Sequence, residues 1–263
     1  PYDGFAAYRA GLRAGDEIVE VNGINVVGKK TEDITTMLKG QAGTPIKLKI
    51  IRLGQTTPTE ISLKREEIKV KAVPYFSMLN SEVGYVKLTS VTDNCSGEVK
   101  EAVLKLKEKN CKSLILDLRG NPGGLLHEAV NIVNLFIDKN NEVVSTRGKV
   151  KEWNKQYFSL YSPIDTQIPL VVLVDNNSAS ASEIVSGALQ DLDRAVILGQ
   201  RSYGKGLVQQ TRPLTYNTQL KVTVAKYYIP SGRCIQAINY THKDEDGRVE
   251  KVPDSLITAF KTK

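Results

Sequence analysis

A serine can act as a nucleophile only with a base beside it and donors to hold the oxyanion it creates. Three segments of this chain carry residues of those types. The first is Asp175-Asn-Asn-Ser178-Ala-Ser180-Ala-Ser182-Glu183, where an apolar strand pattern gives way to a helix pattern. Serines separated by alanines keep this loop small, so a ligand can come close. A helix start also aims free amides at whatever lies before it. Yet Ser180-x-x-Glu183 is equally a capping box, which needs no catalysis.

The second segment is Gly199-Gln-Arg-Ser-Tyr-Gly204-Lys205-Gly206. Histidine, the usual base, is scarce: His127 falls early in an expected helix and His242 in a charged tail. Lysine can replace it when burial leaves the amine neutral, since a lysine in water titrates near ~10.4. Lys205 is the candidate, set by a glycine turn, with apolar residues 196–198 and 207–208 as its expected shelter. Gln209, four residues on, carries an amide that can orient the amine. An exposed turn lysine is the plain alternative. A phosphate-loop reading of Gly199-x4-Gly204-Lys205 fails, because Gly206 replaces the magnesium-holding Ser/Thr and a strand pattern follows.

The third segment is Asp117-Leu-Arg-Gly120-Asn-Pro-Gly123-Gly124, again between a buried strand pattern and a helix. Paired glycines can offer backbone N–H groups to a developing negative charge without obstruction. Turn chemistry alone also accounts for them.

These segments need a scaffold, and the hydrophobic patterning supplies one. Strand patterns at 83–91, 113–118, 169–175 and 195–199 alternate with helix patterns. Val99, Ala102, Val103 and Leu106 mark one helix, and Leu126, Ala129, Val130, Val133 and Ile137 another. Strand and helix in turn predict a layered α/β core, with function at the strand-to-helix junctions. Residues 140–165 read as an excursion from that core, and β patterning returns beyond Gly206. Residues 1–66 read as a separate small β-rich module. Glu17–Val21 alternates before the turn Asn22-Gly23, and Ile46, Leu48 and Ile50 alternate with Lys47 and Lys49. Ile34, Met37 and Leu38 share one helical face, either core or peptide-facing. Residues 67–263 form the second domain, and the pattern at 68, 70 and 72 continues in period two up to Pro74.

Composition excludes several classes. The 263 residues are 41% hydrophobic and 25% charged, which is ordinary globular usage. No apolar run approaches the ~18 residues of a membrane span. Three cysteines form no disulfide framework, and two histidines without a C-x-x-C do not predict a structural zinc site; no metal or organic cofactor is expected. The net charge of +7 is spread singly over strand and helix faces, so no nucleic-acid partner is expected. No secretory signal opens the sequence. Both ends read as unfinished, as in a piece of a longer protein.

Taken together, the segments resemble the carboxyl-terminal processing (tail-specific) proteases, serine peptidases with a Ser-Lys pair and an inserted PDZ domain. The likeness spans nearly the whole chain. It rests on Ala10-Gly-Leu-Arg-Ala-Gly-Asp-Glu-Ile-Val-Glu-Val-Asn-Gly23, Asp-Leu-Arg-Gly-Asn-Pro-Gly-Gly at 117–124, Ser-Ala-Ser-Ala-Ser-Glu at 178–183, Gly-Lys-Gly-x-Val-Gln at 204–209, and Tyr228-Ile-Pro-Ser-Gly-Arg233. It implies a Clp-protease/crotonase-like α/β core with a β-rich extension, plus a PDZ-like α+β domain truncated at its N-terminus. It implies Ser180 as nucleophile, Lys205 as general base and Gln209 as its orienter. Amides of Ala181 and of Gly123 or Gly124 would form the oxyanion hole. Ile34, Met37 and Leu38 would face a bound peptide. Implied partners are protein or peptide substrates with apolar C-termini, and a homo-oligomer or adaptor; the implied location is the bacterial periplasm or cell envelope. The family's carboxylate-binding loop and final motif are absent here. A catalytically silent PDZ-containing scaffold and a crotonase-like acyl-CoA enzyme are the competing expectations. The intact Ser180/Lys205/Gln209 set argues against the first, and the PDZ-like module against the second.

Overall fold

The computed structural model describes residues 1–243 and 249–251. The chain divides into Pro1–Val70 and Lys71–Lys263, a few residues beyond the boundary expected from sequence. The first unit runs α1 (Ala6–Arg9), β1 (Glu17–Val21), β2 (Ile24–Asn25), α2 (Thr31–Leu38), β3 (Pro45–Ile51) and β4 (Thr59–Lys64). Its sheet has the order β2-β1-β3-β4 and is antiparallel throughout. The lysine–aliphatic alternation of β3 puts Ile46, Leu48 and Ile50 inside with Val21, Val26 and Ile61. Each such side chain stabilises by roughly 1.5–3 kcal/mol on burial. Asp16 is fixed by a two-pronged contact with Arg52 at 2.8 Å. That hydrogen-bonded guanidinium holds the Asp16 carboxyl at about 2.

The second unit opens with β5 (Tyr75–Met78), β6 (Val83–Lys87), α3 (Cys95–Glu108), β7 (Ser113–Asp117) and α4 (Leu126–Asn134). It continues through β8 (Glu142–Arg147), β9 (Lys155–Phe158), β10 (Leu170–Val174), α5 (Ala181–Asp191) and β11 (Val196–Gly199). It closes with β12 (Leu207–Pro213), β13 (Gln219–Tyr228), β14 (Ile238–Lys243) and β15 (Val249–Lys251). The main sheet has the order β11-β10-β7-β6-β5, parallel except for β5. Leu114, Leu116, Val172 and Val174 from its central strands pack with Val99, Val103 and Leu106 of α3 and Ile184 and Leu189 of α5. Phe136, fully buried, is among the largest side chains of that core.

Two sequence expectations change. Residues 140–165 are no excursion: β8 and β9 belong to a second antiparallel sheet, ordered β12-β13-β8-β9, and Val143 and Val144 are fully buried. The polar and aromatic residues around them masked this. The period-two pattern at 68, 70 and 72 forms no strand; Ile68 and Val70 are exposed while Ala72 is buried. No described helix is long and apolar enough to cross a membrane.

Candidate active site

Parallel strands β7 and β10 are neighbours, so their C-terminal loops meet at one edge of the sheet. Asp175 stitches them. Its Oδ1 accepts from the N–H groups of Gly120 at 2.9 Å and of Asn177 and Ser178 at 3.0 Å. The Gly120, Asn177 and Ser178 donors hold its carboxyl below the usual carboxylate range.

The three serines then separate by role. Ser178 is fully buried and its hydroxyl donates to the Leu118 carbonyl at 2.9 Å. Ser182 is fully buried and donates to the Asn121 carbonyl at 3.1 Å. Both fasten one loop to the other. Ser180 alone is partly exposed, and its hydroxyl donates to no described group. Its backbone sits at φ 55°, ψ −114°, at the N-cap of α5. For a residue with a Cβ that is a strained position, costing ~1–3 kcal/mol, and such strain persists only where its surroundings enforce it.

Glu183 is what enforces it. The sequence predicted a capping box, and the Glu183 carboxylate does accept the Ser180 N–H at 2.7 Å. The same oxygen accepts the Lys205 N–H at 2.8 Å. The other oxygen accepts the Gly204 N–H at 2.6 Å and the Ser202 hydroxyl at 2.7 Å. One carboxylate, 5% exposed, thereby joins the serine turn to the lysine turn. Sequence spacing gave the cap and missed the second half, because the contact spans about twenty residues.

The lysine turn is held from its other side as well. Gly206 donates to the Gln236 side chain at 2.9 Å, and a Cβ there would lie 2.3 Å from the Gln236 nitrogen. The Tyr228–Arg233 match has a matching purpose: Arg233 pairs with Asp191 at the end of α5 at 2.6 Å, and Ser231 N–H donates to the same carboxylate at 2.9 Å. The strands after Lys205 are thus pinned to the helix after Ser180.

Side-chain placement departs from expectation here. Lys205 is exposed, and no hydrogen bond or ion pair joins its amine to a described residue. Val196 and Leu198, expected to shelter it, are 66% and 60% exposed, because β11 is an edge strand with one uncovered face. Gln209 is exposed, and no hydrogen bond joins it to Lys205. A spacing of four puts two residues on one face of a regular strand, but a register shift falls between Val208 and Gln209 and breaks the alternation.

The glycine loop is built around Asn121. This fully buried residue donates to the Leu88 carbonyl at 3.0 Å and accepts the Gly123 N–H at 2.9 Å. The Gly123 amide is therefore occupied. The amides of Gly124 and Ala181 have no partner among the described residues. Gly123 also touches the serine turn: a Cβ there would lie 2.4 Å from the Ala179 oxygen, 2.7 Å from the Ala181 nitrogen and 2.9 Å from the Ser180 Cβ. Its φ of 90° disfavours any side chain. Gly123→Ala is expected to cost about 1–3 kcal/mol of stability. It should also move the serine turn, which thermal melts and turnover assays on the same preparation will separate.

Asp117 anchors the loop's base. It is 1% exposed and accepts Arg119 Nε at 3.0 Å and Nη2 at 2.8 Å, and the Tyr85 hydroxyl at 2.6 Å. Lys87 lies 3.3 Å away. Burial opposes ionisation, but these donors hold the Asp117 carboxyl well below the usual carboxylate range. Burial and the Asp117 charge push the Tyr85 phenol up to about 12. Elsewhere in the unit, Asp165 is held at about 2 by Lys107 and the Gln167 and Ile168 amides, against its own burial. Carboxyls depressed by folding add stability above their unfolded pKa near ~4, and lose it as pH falls through the folded value. Stability should therefore decline between about pH 4 and pH 2. Asp117→Asn should lose about 2 kcal/mol at neutral pH and flatten that decline, measured by denaturant titration across pH.

In the first unit, Thr35, Leu38, Ile18, Leu63 and Ile68 line a cavity of about 890 Å³. Ile34 and Met37, the other residues of the expected peptide-facing stripe, are partly buried against the core.

Comparison with known proteins matches this architecture. Residues 82–244 fit the model of peptidase family S41, and residues 1–52 fit a PDZ domain. The chain is 40% identical to a carboxy-terminal-processing protease of Bartonella bacilliformis over 245 residues, covering 92% of this chain and 56% of that protein. It is 34% identical to the carboxy-terminal processing protease CtpA of Bacillus subtilis, covering 89% and 50%. The chain thus spans about half the length of the curated relatives it matches. Among solved structures, the photosystem II D1 C-terminal processing protease superposes with a TM-score of 0.58 at 32% identity, over 89% of this chain and 64% of that one. With a serine turn and a lysine turn tied to one carboxylate beneath two unpaired amides, and with these relatives, the chain belongs to peptidase family S41.

Proposed function

We propose that this chain carries the catalytic apparatus of a serine endopeptidase that cleaves proteins near their C-termini through an acyl-enzyme. One observation carries the reading: Glu183 binds the backbone of Ser180 and of Lys205 at once, while Ser180 alone of its three serines keeps its hydroxyl undonated. Lys205, as the neutral amine, takes the Ser180 proton as the hydroxyl oxygen attacks the scissile carbonyl. The Ala181 and Gly124 N–H groups donate to the carbonyl oxygen as negative charge develops on it; losing one such donor typically costs ~3 kcal/mol. Gly123 has no role in that hole, since its N–H already serves Asn121. The Lys205 ammonium returns its proton to the leaving amine. Water then repeats the steps on the ester and frees Ser180. The Lys205 side chain has to turn inward for the first step. A substrate strand laid over β12 supplies the shelter that the exposed face lacks, and Gln209 orients the amine.

Substrate choice belongs to the PDZ-like unit. Substrates are proteins with accessible, apolar C-termini, held by α2 and the cavity that Leu38 lines. A periplasmic or cell-envelope location, and regulation by self-association or an adaptor, accompany this reading. An apolar peptide with a free C-terminal carboxylate should bind more tightly than its C-terminal amide in a fluorescence anisotropy titration. Equal affinities would remove carboxylate capture. The alternative, a catalytically silent scaffold, predicts no casein cleavage by the wild type.

A further inference from the structure

We propose that Asp93, His127 and Glu128 bind one divalent transition-metal cation, with zinc the best fit. Their ligand atoms all lie within 4.8 Å of one another. No step of peptide hydrolysis uses them. Sequence spacing spoke against a cysteine-based zinc site; the fold instead brings the loop before α3 beside the start of α4.

Glu128 is the buried member of the group, and its carboxylate edge is turned toward His127. This residue is 5% exposed. Its Oε2 is satisfied by the Ser96 N–H at 2.7 Å and the Cys95 Sγ at 3.5 Å. The Ser96 hydroxyl also lies against this carboxylate, and its Oε1 is 3.7 Å from His127 Nε2. That is too long for a hydrogen bond. It is close to the ~3.3 Å between two ligands of a tetrahedral zinc with bonds of ~2.0–2.1 Å. Asp93 has no hydrogen bond or ion pair among the described residues, and no described Lys or Arg pairs with either carboxylate. Two carboxylates and an imidazole thus gather without a cation in a chain whose net charge is +7.

The donor set selects the ion. Magnesium and calcium prefer all-oxygen shells, whereas an imidazole with carboxylates suits zinc, leaving a position for water. Cys95 is not a ligand, since burial pushes its thiol up and the S–H faces Glu128 Oε2. The site also has leverage. Val91 clasps the glycine strand through Gly123 O at 3.1 Å and Leu125 N at 2.7 Å. Asp93 follows Val91 closely, and His127 follows Leu125. A bound ion ties together the two segments that hold Gly124.

Isothermal titration of the whole chain with Zn²⁺ tests this, in a Cys234→Ser, His242→Ala background that removes other soft ligands. One Zn²⁺ per chain and a raised Tm are expected, with no response to Mg²⁺. His127→Ala and Asp93→Asn, both at exposed positions, should each weaken binding at least about tenfold and remove the Tm rise. If His127→Ala lowers the metal-free Tm, Asp93→Asn decides the matter alone. Absence of saturable binding in the background protein, or binding untouched by Asp93→Asn, would overturn the proposal.

Discussion

Ser180→Ala is expected to abolish casein turnover, with kcat reduced by at least about 10⁴-fold and the melting temperature little changed. No rise is expected, because Ala carries the same Cβ at φ 55° and the backbone strain stays. Ser178→Ala and Ser182→Ala are the contrasting controls. Each removes a buried hydroxyl that donates to a loop carbonyl, so each should lower stability by about 1 kcal/mol while leaving the chemistry available. Lys205→Met should match Ser180→Ala in turnover. Lys205→Arg should be equally inactive, since a guanidinium keeps its proton. Normal cleavage by Lys205→Arg would place the base elsewhere.

Glu183→Gln is the second large effect. The amide offers one oxygen and one NH₂ where four donors converge. Whichever way it turns, the NH₂ faces at least one backbone N–H that cannot reverse. The variant should lose roughly 2–3 kcal/mol of stability. More tellingly, kcat should fall about 10²–10³-fold with KM for a short peptide nearly constant, because Glu183 positions the two turns and touches no substrate. A parallel rise in KM would mean that Glu183 shapes the substrate groove instead.

Much of this was readable from the residues. Aliphatic periodicity gave the α/β core, and it held for β7, β10, α3 and α5 because each buries one apolar face. The three chemical segments were legible as small-residue loops at strand-to-helix junctions. What escaped was tertiary. Glu183 looks like a local cap until the lysine turn arrives on its other face. In the proposed oxyanion hole, the preference for Gly124 over Gly123 rests on one side chain, Asn121, that no spacing rule singles out. The sheltering of Lys205 was inferred from apolar neighbours in sequence, yet β11 lies at a sheet edge and points Val196 and Leu198 outward. Likewise β8 and β9 hid behind Trp153, Tyr157 and Phe158, whose polar neighbours suggested a loop.

On the proposed mechanism a bound chain completes the pair of Ser180 and the exposed Lys205, and that is open to direct capture. Acid-quenched intact mass spectrometry, taken within the first turnovers on an activated peptide ester, reads the covalent state of the enzyme. A single acyl adduct mapping to Ser180, formed by the wild type and lost in Lys205→Met, is the expected result. An adduct on another residue, or one that forms as fast without the Lys205 amine, would contradict hydrolysis by this pair.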